Sequence, residues 1–213
     1  MRKRRFLKTR QTQWAHQLTK LLKEKGWKPN QISLLSLFFA LLGSAALLLV
    51  PHVSHPAEKA ILFASTALFI QLRLLCNLMD GMLAIEGKVP SKLGEIFNEL
   101  PDRISDSMIL ICAGHMVTYG QGVLGWMAAL FALATAYLRV LGTSLGTEAY
   151  FSGPMAKPHR MFTLTVGCIL AIVFIPFHFD FHVITFSLIC IVLGSIVTCV
   201  RRMRFISEEM MSK

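Results

Sequence analysis

The chain has 213 residues, of which 54% are apolar and only 16% charged. Soluble domains carry roughly a quarter charged residues, so disorder, a disulfide scaffold and an ordinary soluble domain are excluded; a single-domain, all-α polytopic membrane protein is expected. The net charge of +10 is unevenly spread, because residues 1–30 hold ten basic residues against Glu24 alone.

The first element is that basic arm, residues 1–28. No soluble DNA-reading module follows it, so nucleic acid is not an expected partner. Beside a membrane segment the same charge marks the cytoplasmic side and attracts anionic lipid. A signal peptide is not expected either, since no short apolar core follows the charged start at once. Within the arm Trp14, Leu18, Leu21 and Leu22 recur at helical spacing among lysines. They predict an amphipathic juxtamembrane helix, lying in the headgroup layer or packed on the protein's underside.

A bilayer core takes about 20 apolar residues per helix. Six stretches in residues 29–205 meet this: Ile32–Val50, Ala60–Met79, Ile104–Tyr119, Val123–Leu141, Met161–Phe177 and Val183–Val200. Basic and basic-poor connections alternate between them, which places both termini, including the tail 206–213, in the cytoplasm. Ala128, Ala132 and Ala136 suit close packing of helices in lipid. Three polar groupings read as architecture. Gly142-Thr-Ser144-Leu-Gly146 fits a nucleophile-elbow pattern but ends a membrane helix, with no strand before it. His178-Phe-Asp180-Phe-His182 is expected to be a solvated outer turn, and His115 a packing residue. The five cysteines lie in apolar runs and read as small buried hydrophobes.

Ionisable groups inside membrane segments are costly and mark function. They gather where the second span ends, Arg73 to Ala84, and where the third begins, Gly94 to Asp106. Asn77 and Asp80 share one helix face, as do Asn98, Asp102 and Asp106. Oxygen ligands converging from two helix ends at the cytoplasmic side suit a hard divalent cation, Mg²⁺ or Mn²⁺, and such an ion is most useful to a substrate that carries phosphates. Arg73, one turn before Asn77, is expected to serve the site as a cation or to pair with Asp80 or another buried carboxylate. Asp106 is expected to support the site or to pair with Arg103.

The stretch Asn77–Asp102 resembles the pattern of the CDP-alcohol phosphotransferases, D-x2-D-G-x2-A-R-x8-G-x3-D-x3-D, with every interval kept. Asn77 and Asn98 stand at two of its four aspartate positions and Ile85 at its arginine. The resemblance implies a six-helix membrane domain, a homodimer, and a location in a bacterial inner membrane. It implies metal-dependent transfer of a phosphatidyl or related phospho-alcohol group from a CDP-alcohol, such as CDP-diacylglycerol, to a hydroxyl acceptor, with release of CMP. It assigns metal ligation to Asn77, Asp80, Asn98 and Asp102, the general base to Asp102, and nucleotide approach to Gly81, Ala84 and Gly94. Arg139, Lys157 and Arg160, at the inner ends of spans four and five, are candidates to hold the acceptor's phosphate. Two carboxylates and two amides carry half the charge of four carboxylates, so one firmly held ion is expected, a second arriving only with the pyrophosphate. Glu95, three residues before Asn98, is the candidate compensating carboxylate. The same substitutions admit a second reading, a non-catalytic member that binds CDP-lipid or a partner enzyme. A transporter is a distant third, because the charge clusters at one face and no repeat is evident.

Overall fold

The computed structural model of the chain describes residues 12–86, 94–117, 122–148 and 150–212. The side chains of Ile85, Glu86, Glu95, Phe97 and Asn98 also lie outside the description. Among the described residues the regular structure is helical: α1 (Gln13–Glu24), α2 (Pro29–Leu49), α3 (Pro56–Glu86), α4 (Gly94–Val117), α5 (Val123–Ser144), α6 (Lys157–Phe174) and α7 (Asp180–Met211). Short 3₁₀ turns, Val50–His52 and Ile175–Phe177, finish α2 and α6. Five of the helices (α2, α3, α5, α6 and α7) are long and apolar enough to cross a membrane. In α4, Glu95, Glu99, Asp102, Arg103 and Asp106 make the first half polar.

The six long helices pack as a ring in the order α2, α3, α6, α7, α5, α4, with α4 also reaching α7 across it. Away from the polar end the interior is apolar, with Leu47, Phe63, Ile70, Ile109, Leu110, Met116, Leu164, Ile184 and Leu188 removed from solvent. The lipid-facing side is apolar too, as the exposed Phe38, Leu130, Phe162, Phe186 and Leu193 illustrate. Such an apolar exterior around a packed interior is what a bilayer requires of a helical protein.

Two helices run past the expected spans. At 1.5 Å per residue, the 31 residues of α3 extend about 46 Å, well beyond a hydrocarbon core of about 30 Å. Its last turns carry Asn77 and Asp80 to the polar end of the bundle. Likewise α7 continues through Arg201, Arg202 and Arg204 to Met211, so most of the segment expected to be a tail is helix. Hydropathy marks where a helix leaves lipid, not where its hydrogen-bond ladder stops.

α1 resolves the choice posed by its amphipathic pattern by splitting its apolar residues. Ala15, Leu18, Thr19 and Leu22 pack on the end of α3 over Met79 and Met82, while Trp14 and Leu21 remain exposed at 47% each. The loop into α2 ends in a helix-start signal: Pro29 opens the first turn and the Gln31 side chain accepts the Lys28 N–H at 2.9 Å.

α4 and α5 meet backbone to backbone. Gly114 and Gly125 lie so close that a Cβ on either would collide with the other's main chain. The small stripe continues with Ala128 and Ala132, both buried. His115 packs against Gly122, whose φ of +59° starts α5, in keeping with a packing role.

In the turn 178–182, His178, Phe179 and His182 are exposed, in line with a solvated, aromatic-anchored turn, whereas Asp180 departs from it. Asp180 is 2% exposed and pairs with Lys59 at 3.4 Å, while Lys59 also lies 4.8 Å over the Phe181 ring. An aspartate at a helix start beside a membrane-edge lysine is buried to tie α7 to α3, so it is not solvated. The nucleophile-elbow decoy is a helix end. Ser144 Oγ donates to its own helix at Leu141 O, and Gly146, with φ +81°, turns the chain.

Candidate active site

One end of the ring gathers the start of α2, the end of α3, the start of α4, the end of α5, the start of α6 and the end of α7. Each of the six brings polar side chains there: Ser33 and Ser36, then Arg73, Asn77 and Asp80, then Glu99, Asp102 and Asp106, then Thr135 and Arg139, then Lys157 and Arg160, and last Arg202. Three helix N-termini point into this end, and their partial positive charge favours an anionic ligand.

Asp80 is the carboxylate nearest to a free ligand. It is 4% exposed; its Oδ2 accepts a 2.7 Å hydrogen bond from Ser33 Oγ, and its Oδ1 is buried without a hydrogen-bond partner among the described residues. A bare buried carboxylate oxygen is costly unless a cation joins it. Asn77, one turn earlier, accepts from Ser36 Oγ at 2.8 Å. Gly81 is buried and Ala84 exposed on the same helix end. Gly94 opens α4, and Asn98 and Glu95 fall in the same first turns, their side chains outside the described residues.

Asp102 is engaged by cations. Lys157 Nζ forms an ion pair with its Oδ2, and Arg73 lies 3.7 Å from Oδ1 while donating to the Asp102 backbone carbonyl at 3.2 Å. Asp106 is 2% exposed and lies between Arg73 at 2.6 Å and Arg160 at 3.3 Å. Of the two roles open to Arg73, pairing holds, and its carboxylate is Asp106 rather than Asp80. Arg103, the expected partner of Asp106, pairs instead with Glu99 at 2.7 Å, four residues back on the same helix face. The i,i+4 distance suits the long arginine side chain, and two arginines already flank Asp106.

The three acceptor-phosphate candidates are placed differently. Lys157 meets Asp102, as described. Arg160 is 1% exposed, donating to Met155 O at 2.9 Å and Thr135 Oγ1 at 3.2 Å besides its pair with Asp106. Arg139 reaches Glu99 at 2.6 Å and lies 5.6 Å over the Phe151 ring. These arginines are therefore knitted into the wall of the site.

A strap, residues 145–148 and 150–156 as described, runs across this end between α5 and α6. Thr198 Oγ1 accepts the Met155 N–H at 3.0 Å, and Arg202 donates to Ser152 O at 3.1 Å and to Thr135 O. Tyr150 stacks on Phe205 with centroids 5.3 Å apart, and its hydroxyl donates to Glu209 at 2.7 Å. That hydrogen bond to a carboxylate holds the phenol above its ordinary ionisation range. Gly153 has φ +133° and lies against Thr198, where any side chain would collide.

Sequence reasoning missed Ser33, Ser36, Thr135 and Arg202. The two serines, three apart at the start of an otherwise apolar span, gave a weak signal. Arg202 was indistinguishable from its neighbours as a positive-inside charge. Among the described residues no three Asp, Glu, His or Cys side chains form a ready metal cluster. The bare Asp80 oxygen, with the amide-bearing Asn77 beside it, fits a hard cation.

Comparison with known proteins follows the same lines. Residues 27–200 match the model of the CDP-alcohol phosphatidyltransferase family. The inner membrane protein YnbA of Escherichia coli is 28% identical over 131 residues, 62% of this chain and 61% of that protein, so the match spans about six-tenths of that relative. An uncharacterized Aquifex aeolicus protein is 28% identical over 178 residues, covering 82% of this chain and 79% of its own length. Among solved structures, Mycobacterium tuberculosis phosphatidylinositol phosphate synthase with CDP-DAG bound superposes with a TM-score of 0.71 at 18% identity, covering 92% of this chain and 94% of that one. The same enzyme with manganese and citrate gives a TM-score of 0.70 at 16% identity, covering 90% and 88%.

Proposed function

The chain belongs to the CDP-alcohol phosphatidyltransferase family, and from that premise we propose that it transfers a phospho-alcohol group from a CDP-alcohol to a hydroxyl acceptor, releasing CMP. The observation that carries this reading is Asp80, a buried carboxylate with one oxygen bare, at a bundle end lined by Asp102, Lys157 and three arginines. CDP-DAG and manganese, bound in separate structures of the tuberculosis enzyme, add support for a CDP-lipid donor and a divalent ion.

When bound, one divalent cation, Mg²⁺ or Mn²⁺, neutralises charge on the pyrophosphate and makes the phosphorus more electrophilic. Asp80 would hold that cation, and Asn77 and Asn98 would supply neutral oxygen ligands. Ser33 and Ser36 fix the orientation of Asp80 and Asn77. Gly81 and Gly94 leave room for the nucleotide beside the backbone. Asp102 takes the proton of the acceptor hydroxyl as its oxygen bonds to the alkyl-side phosphorus, and the bond from that phosphorus to CMP breaks. Lys157 and the positive ends of α2, α4 and α6 stabilise negative charge on the transferring group. Arg160 and Arg139 shape the acceptor side through Thr135, Glu99 and the strap.

In this reading α4 crosses the membrane as the sixth span, the polar end faces the cytoplasm of a bacterial cell, and two copies form a homodimer. Incubating the purified full chain with CDP-diacylglycerol, Mg²⁺ and a panel of alcohols should release CMP with at least one acceptor. EDTA should abolish that release, as should Asp80→Asn. Nucleotide binding without CMP from any acceptor would overturn the assignment.

A further inference from the structure

Lys157 does more than carry a surface charge. It is the first residue of α6, its side chain is 19% exposed, and its Nζ meets Asp102 Oδ2. The strap that delivers it is clamped at Met155 and Ser152 by Thr198, Arg160 and Arg202. Its position is therefore built into the fold.

We propose that Lys157 is the site's resident second cation: its ammonium neutralises Asp102 in place of a second divalent ion, leaving Asp80 as the carboxylate anchor among the described residues, so the chain works with one divalent ion. The inference rests on the transferase reading above for its substrate, but not for its ion count.

Charge supports it. Within the described residues, an inner set of three carboxylates, Asp80, Asp102 and Asp106, meets three cations, Lys157, Arg73 and Arg160, while the more exposed Glu99 is held by Arg103 and Arg139. The inner set is neutral before any ligand binds, and the Glu99 group adds one positive charge, which makes a further cation still less favourable. One divalent ion leaves the inner set with two positive charges, matching the two ionised phosphates of a CDP-alcohol. A second divalent ion would leave two positive charges uncompensated in a poorly solvated region, where such an excess is expensive. Ligand supply agrees. Asp106 is spanned by two arginines and Asp102 by Lys157 and Arg73, whereas Asp80 Oδ1 is bare. Lysine suits the role because it is a compact point charge on a flexible stem.

Mn²⁺ bound to the full-length protein in nanodiscs can be counted by electron paramagnetic resonance, with and without CDP-diacylglycerol. Wild type should bind one ion per chain at saturation in both conditions. Lys157→Gln should bind a second, weaker ion at the freed Asp102, and Lys157→Arg should return the count to one. Where CMP release is measurable, the glutamine variant's half-saturating Mg²⁺ should rise at least about tenfold, the scale on which groups supporting a metal site act.

Asp102→Asn checks the claim from the other partner. It should abolish CMP release yet keep one Mn²⁺ with affinity within roughly threefold of wild type, well short of the tenfold or larger loss expected when a metal site is disturbed. Two ions in wild type, an unchanged count in Lys157→Gln, or loss of the ion in Asp102→Asn would each overturn the proposal. Absent CMP release with one bound ion would instead overturn the transferase reading and leave Lys157's role standing.

Discussion

Ser33 on α2 donates a 2.7 Å hydrogen bond to Asp80 on α3, and this bond orients the carboxylate, whose opposite oxygen is buried with no hydrogen-bond partner among the described residues. The serine fixes the ligand without consuming it. Ser33→Ala should therefore weaken Mn²⁺ binding by about tenfold, in line with other groups that orient metal ligands, while the fold survives. An unchanged Mn²⁺ titration would show that Asp80 needs no such support.

Arg73 is wholly buried and joins α3 to α4 through Asp106 and the Asp102 carbonyl. Removing one partner of a buried ion pair strands the other, typically at a cost of about 3–5 kcal/mol. Arg73→Leu should lower the melting temperature in detergent by several degrees, read from tryptophan fluorescence. Arg73→Lys should fall between, because an ammonium cannot reproduce the planar fork. A melt matching wild type would mean that Arg160 alone satisfies Asp106.

Gly114 and Gly43 make a matched pair for testing helix approach. A Cβ at Gly114 would strike the Gly125 backbone, whereas one at Gly43 would rest at 3.4 Å from Phe69 Cβ, a tolerable contact. Gly114→Ala should cost about 1–3 kcal/mol, the usual penalty of overpacking, and should loosen the Arg139–Glu99 pair that bridges the same two helices. Gly43→Ala should stay close to wild type. Equal stability of the two variants would show that α4 and α5 separate freely.

Tyr150 and Glu209 pin the strap to α7. In Glu209→Gln the phenol loses the carboxylate that holds its proton, so the sign of the change is a fall in its ionisation pH. Tyrosinate absorbance, taken as the difference from Tyr150→Phe, should appear at lower pH in the glutamine variant. Limited proteolysis within 145–156 should also quicken. Identical titration curves would mean that the hydroxyl faces solvent.

Much of this was readable from one chain because lipid imposes a coarse rule: long apolar runs become helices, and charges among them are exceptional. That rule located α2 to α7 and singled out Asp80, Asp102 and Arg73. Partnerships were not readable, because they depend on which helices adjoin in the ring. Asp106 looked like the mate of Arg103 in sequence, yet α3 and α6 supply nearer cations. Ser33 gains meaning only when α2 lies beside α3. The amphipathic stripe of α1 was visible, but its division between Leu18 and Leu22 inside and Trp14 and Leu21 outside needed the surface of α3.

Arg202, on the last described helix, reaches back to Thr135 and Ser152 and so helps to close a polar end begun by Ser33. During synthesis, then, Arg73, Asp106 and Arg160 are made before the wall around them is finished. A nascent chain halted short of α7 would expose uncovered polar groups to lipid or water, a mark by which quality-control proteases can tell an unfinished product from a mature one.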